Sequence, residues 1–157
     1  MSEVRWLTEA ELSLWQAYIH AQHDMERVIS VDLASTGLSH ADYAVLVPLS
    51  AAEGVRVGRL RDWIGWESSR LAHQLRRMEQ RGLVQRRPAT DDGRGTVVTI
   101  TDEGRARIVS AAPSHVQTVR NHFVDLMTAE EVAVLTEVFK RVSQRAAPER
   151  PPLSELG

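Results

Sequence analysis

The chain has 157 residues, 43% of them hydrophobic and 25% charged, with a net charge of −2. This is the make-up of one soluble globular domain with a substantial core, and it excludes a uniformly basic nucleic-acid binder. No apolar run approaches the ~20 residues that span a bilayer, and the start, M-S-E-V-R-W-L-T-E, lacks a signal peptide's apolar segment. The absence of Cys excludes disulfides, thiolate metal sites and thiol redox sensing. A cytoplasmic protein without a membrane partner is expected.

Thr8-Glu9-Ala10-Glu11 is a capping box, in which hydroxyl and carboxylate satisfy free backbone N–H groups. It opens a helix reaching about residue 32. One apolar stripe holds Leu12, Trp15 and Ile19; another holds Leu14, Tyr18, Met25, Val28 and Ile29. At ~100° per residue the stripes lie on different sides, so the helix has two surfaces to pack against, one of them a partner chain. Residues 34–37 break it. Ser39, with Asp42 three positions on, caps a second helix whose core stripe is Tyr43, Leu46 and Leu49. Pro48 is expected to bend or end that helix and to push Val47 out of helical geometry. Gly54 and Gly58 bracket a connector in which Val55 and Val57 suit a minimal strand.

Arg59–Ile64 reads as a short helix, and Gly65 turns the chain into a longer one over residues 66–81. Short helix, tight turn and long helix form the helix-turn-helix pattern. Trp63 and Trp66 flank the turn and are expected to pack between the two helices. In the long helix Leu71, Leu75 and Met78 make an apolar stripe, and the opposite stripe reads Arg70, His73, Gln74 and Arg77. Gly82 ends it. Leu83–Arg87 and Thr96–Ile100 read as strands joined by a polar turn at Asp92-Gly93, with Arg94 at the tip.

A helix face offering Arg and Gln suits the major groove, where Arg pairs with guanine and Gln with adenine. Ser68 and Ser69 near the helix start suit phosphates, and Arg94 suits the minor groove or phosphates. Between residues 56 and 94 there are ten Arg and five acids, a net +5, so the remainder carries −7. That is the footprint of a local nucleic-acid face.

Thr101-Asp102-Glu103-Gly104 starts the next helix, its acids favouring the N-terminus. Pro113 is expected to interrupt or kink it near residue 112, after which Val116, Val119, Phe123 and Leu126 continue the apolar stripe. Thr128-Ala129-Glu130-Glu131 is another capping box, opening a last helix with Val132, Leu135, Val138, Phe139 and Val142. The tail, A-A-P-E-R-P-P-L-S-E-L-G, is Pro-rich and expected to be loose. The expected fold is mainly α (α+β): a winged helix-turn-helix with flanking helices forming an intertwined dimerisation base. Its parts are an N-terminal dimerisation helix (1–36), the winged module (37–100), C-terminal dimerisation helices (101–147) and the tail (148–157).

The runs L-S-H-A-D-Y-A-V-L, M-E-Q-R-G-L-V and V-T-I-T-D-E-G together resemble the MarR family of bacterial transcriptional regulators. The resemblance implies a homodimer carrying two winged modules, binding double-stranded DNA at a near-palindromic operator and acting as a repressor. It implies that Arg94 enters the minor groove while Asp92 steadies the wing. Two positions depart from the pattern: Gly93 stands where the family has a wing Arg, and Arg61 where a small residue is usual. Many members are released by small aromatic or phenolic acids bound between the base and the winged lobe. Trp15 and Tyr43, with Arg86 as anion partner, are the candidate ligand residues; Arg86 is equally a candidate phosphate contact.

The same residues admit other readings. No P-loop, G-x-S-x-G, H-E-x-x-H or Cys nucleophile is present, so no enzyme and no cofactor is expected. A zinc-responsive regulator of the same fold would use His20 and His23 with Asp24 or Glu26, or His115 and His122; solvent-facing or dimer-seam His is the preferred account, and no metal is expected. A helical interaction protein without DNA binding leaves the clustered Arg unexplained.

Overall fold

The computed structural model describes residues 4–90 and 95–156. Helix α1 (Glu9–Ala34) leads into α2 (His40–Ser50), strand β1 (Val55–Arg56), α3 (Val57–Ile64) and α4 (Ser68–Gln80). Strands β2 (Val84–Pro88) and β3 (Thr96–Ile100) follow, then α5 (Asp102–His122), a 3-10 turn (Val124–Leu126), α6 (Ala129–Ala146) and a last 3-10 turn (Leu153–Glu155). The sheet is antiparallel in the order β1-β3-β2, with Val55 opposite Val98 and Arg86 opposite the same residue on the other side. Among the described residues no helix is long and apolar enough to cross a membrane.

Local chemistry accounts for the boundaries. Thr8, Ser39 and Thr128 each accept a hydrogen bond from the backbone N–H three residues on, and the carboxylates of Glu11, Asp42 and Glu131 accept one from the cap's own backbone N–H. Gly65, at φ 76°, closes α3 in the left-handed region that a side chain resists.

The core lies in the winged lobe. Leu33, Leu38, Val45, Leu46, Leu49, Val55, Leu60, Leu71, Leu75, Met78, Leu83, Val84, Val98, Ile108 and Ala111 are buried in one cluster. In α1 only Leu33 is buried, and in α6 no residue is. Arg105 and Arg107 of α5 donate to the carbonyls of Ser50 and Thr36, tying α5 to the ends of α2 and α1.

Three expectations are corrected. Pro48 does not end α2 at residue 47; the helix runs to Ser50, because the proline stands so near the C-terminus that one lost bond leaves the earlier turns intact. Pro113 does not interrupt α5, which is continuous from Asp102 to His122. Pro113 and Val109, the residue one turn earlier, are both exposed, so water can serve the carbonyl left without an N–H. The tail is not loose: Leu156 is 1% exposed and joins the core, and Arg150 lies against Gly65. Apolar side-chain burial outweighs the Pro-rich composition here.

The start of α5 is fixed against the end of α4. The Thr101 N–H donates to the Leu83 carbonyl (3.1 Å) and its hydroxyl to the Gly82 carbonyl (2.5 Å). This contact leaves no room at Gly104, where a Cβ would stand 2.1 Å from the Leu83 oxygen. Gly104→Ala is therefore expected to destabilise the protein by about 1–3 kcal/mol, as overpacking does, measured by urea unfolding at fixed protein concentration.

Candidate nucleic-acid interface

Helices α3 and α4 meet at Gly65, and α4 lays Leu71, Leu75 and Met78 onto the core. Its N-cap, Glu67, makes no side-chain capping bond. The first backbone N–H groups of α4 thus keep the partial positive character that suits an anion. Ser68 and Ser69 are exposed beside them.

The exposed face of α4 is centred on Ser69, His73, Arg76, Arg77 and Gln80. Arg70 lies at its edge with its guanidinium 4.2 Å from the centre of the Trp66 ring, a cation–π contact that orients the side chain. Gln74 is not on this face. It is 7% exposed, and its Nε2 donates to Asp42 Oδ1 at 2.6 Å. The buried stripe is therefore Leu71, Gln74, Leu75 and Met78, at i, i+3, i+4 and i+7. Arg76, on the far side of the helix from it, was missed; centring the polar face opposite Leu71 and Met78 would have found it.

Arg86 on β2 closes back onto α4. Its backbone N–H donates to Glu79 Oε1 (3.1 Å), and Nε and Nη2 donate to Oε2 (3.0 and 2.5 Å). The Arg86 hydrogen bonds hold the Glu79 carboxyl below its ordinary range. A cleft of about 490 Å³ opens between α3, α4 and the strands, lined by Arg56, Arg59, Asp62, Arg86 and Thr96. Arg56 and Arg59 were not among the expected contacts, although the local Arg clustering already included them. Arg61 pairs with its neighbour Asp62 at 2.6–2.8 Å. Asp92 and Arg94, the expected wing residues, lie outside the described residues.

Trp15, Tyr43 and Arg86 do not form one ligand site. Trp15 is exposed on α1 and packs on Tyr18, with ring centres 5.6 Å apart. Tyr43 borders a different cleft from Arg86, with Val47, Arg105 and Ile108. His122 Nδ1 lies 3.0 Å from the Thr118 carbonyl of its own helix, and His40 is 3.9 Å from Glu26. Among the described residues no three His, Asp or Glu converge as metal ligands would.

His115 of α5 packs on Tyr43, ring centres 4.3 Å apart, and its Nδ1 is buried without a hydrogen-bond partner among the described residues. Burial pushes its pKa down; Asp32 of α1 opposes this and His40 of α2 adds to it. The folded protein therefore binds this proton less readily than the unfolded chain, whose His titrates near ~6.5. Stability is unaffected above that pH and falls as pH drops through it. His115→Gln is expected to reduce the fall in unfolding midpoint between about pH 7 and pH 5, followed by thermal denaturation across that range.

Comparison with known proteins matches this architecture. A family model described as the MarR family matches residues 38–96. The transcriptional regulator HosA of Escherichia coli O157:H7 is 30% identical over 105 residues, 67% of this chain and 77% of that protein. The crystal structure of AbsC, a MarR family regulator from Streptomyces coelicolor, superposes with a TM-score of 0.88 at 32% identity, covering 93% of this chain and 100% of that one. Sco3205 from the same organism, solved in complex with DNA, gives 0.87 at 31% identity, covering 99% and 98%.

Proposed function

The chain belongs to the MarR family of winged-helix transcriptional regulators, and from that premise we propose that it is a homodimeric repressor that sets two copies of α4 into a near-palindromic operator. It is a DNA-binding regulator and not an enzyme. The observation that carries the reading is the exposed basic face of α4 beside the arginine-lined cleft. Sco3205, similar over nearly its whole length, was solved bound to DNA. In this reading residues 37–100 form the reading module, while α1, α5 and α6 form the dimerisation base.

The dimer is supported by apolar surface that one chain leaves wet. Trp6 is 82% exposed, Leu14 73% and Leu126 73%, and Trp15, Phe139 and Val142 are exposed too. Tyr18 spans from Trp15 to Phe139, so α1 and α6 present these three rings together. Contiguous apolar surface of this kind marks an interface. Pairing would hold the two α4 helices about one turn of DNA, ~34 Å, apart.

The effector site fits a cleft of about 610 Å³ between α1, α2 and the α3–α4 turn, in place of the Trp15–Tyr43–Arg86 grouping. Trp63 and Trp66 offer indole surface to an aromatic ring, and Arg70 and Arg150 offer guanidinium groups to its carboxylate. Because Arg70 belongs both to this cleft and to the edge of the DNA face, an occupant would compete with the operator.

Arg77→Ala is expected to weaken operator binding by about 1–3 kcal/mol and to relax sequence preference; gel shifts with operator and scrambled duplexes check this, and wild-type behaviour on both would contradict the groove assignment. Small aromatic carboxylates are expected to quench Trp fluorescence and to release DNA over the same concentration range. Trp63→Ala is expected to weaken both effects together.

A further inference from the structure

We propose that Asp42, Gln74 and Arg81 set the sequence discrimination of α4 without touching DNA, by fixing how the helix is rolled about its axis; this rests on the DNA-binding reading above. Asp42 is 1% exposed. Its Oδ2 accepts from the Ser39 N–H (2.8 Å) and from Arg81 Nη1 (2.7 Å), and its Oδ1 from Gln74 Nε2 (2.6 Å). Arg81 Nη2 then donates to the Gly37 carbonyl at 2.6 Å. One carboxylate thus joins the first turn of α2, the middle of α4 and the end of α4, and the arginine carries the connection to the loop leaving α1.

The apolar contacts of Leu71, Leu75 and Met78 hold α4 against the core but are non-directional, and they tolerate small rotations. Charge-assisted hydrogen bonds at two points along the helix do not. Gln74 adjoins His73 in sequence and lies about one turn from Arg70 and Arg77. With side-chain tips about 5 Å from the helix axis, a roll of roughly 10° moves them by about 1 Å. That is enough to break a hydrogen bond to a base edge, whose useful range is a few tenths of an ångström. A long, flexible side chain on a phosphate follows the same movement. Loss of the strut therefore falls on the specific complex and spares the non-specific one.

The test uses the full-length protein and a duplex that wild type enriches from a random pool, with a scrambled duplex at the same salt concentration. Gln74→Met removes the amide while keeping the side chain's length, and it leaves Asp42 paired with Arg81 and Ser39. Gln74→Leu is the second variant, should the first not unfold cooperatively. The expected result is a specific affinity lowered about tenfold or more, the scale of a mismatched base pair, with affinity for the scrambled duplex within about twofold of wild type and cooperative unfolding retained. An unchanged ratio of the two affinities in a folded variant would overturn the inference. So would a parallel loss on both duplexes, which would mean a general defect or a direct phosphate contact. Wild type that enriches no sequence would contradict the DNA-reading function itself, and the inference with it.

Discussion

A carboxylate taken out of water must have its oxygens answered, and Asp42 meets that requirement with partners from three places in the chain. Removing one partner of a buried ion pair typically costs about 3–5 kcal/mol, because the remaining charge stays buried. The constraint therefore works in both directions. It fixes the start of α2, since Ser39 and Asp42 form its capping box, and it fixes α4 against α2 through Gln74. The part-exposed guanidinium of Arg81 also reaches Gly37, so the exit from α1 belongs to the same arrangement. The exposed face of α4 follows from this setting, as does the angle at which Arg76 and Arg77 leave the surface.

The distribution of apolar residues divides the molecule. Burial is concentrated between α2, α3, α4, the sheet and the first half of α5. The long helices α1 and α6 contribute almost nothing to that core, yet carry large apolar side chains. In the proposed dimer, helices that are poorly buried in one chain become the base on which two winged lobes stand. The C-terminal tail adds a link between the parts, because Leu156 enters the core while Arg150 lies over the turn between α3 and α4.

Much of this was legible in the sequence, for reasons that are local. Three capping boxes, the left-handed glycines at 65 and 82, and the β-branched run Thr96–Ile100 depend on residues within a few positions of one another, and each element lies close to where the spacing puts it. The errors were made where the deciding partner is remote. Gln74 reads as a surface residue until Asp42, 32 positions earlier, is brought against it. Leu156 reads as part of a loose tail until the core it enters has been assembled. Tyr43 and Arg86 were grouped by chemistry alone, whereas the fold gives Tyr43 to His115 and Arg86 to Glu79. Both prolines were overvalued as breakers, because their cost depends on how near the helix end they stand and whether water reaches the carbonyl left behind.

The central claim, that a dimer carries the outer face of α4 into the major groove, is open to direct measurement because the chain has no cysteine. A single cysteine at position 73 can carry a DNA-cleaving reagent, and the pattern of cuts on a bound operator then reports where that face lies. The account predicts two clusters of cuts related by the operator's symmetry and separated by about one helical turn. It also predicts none from the same reagent at position 143 on α6. Cutting from position 143 with none from position 73 would contradict it.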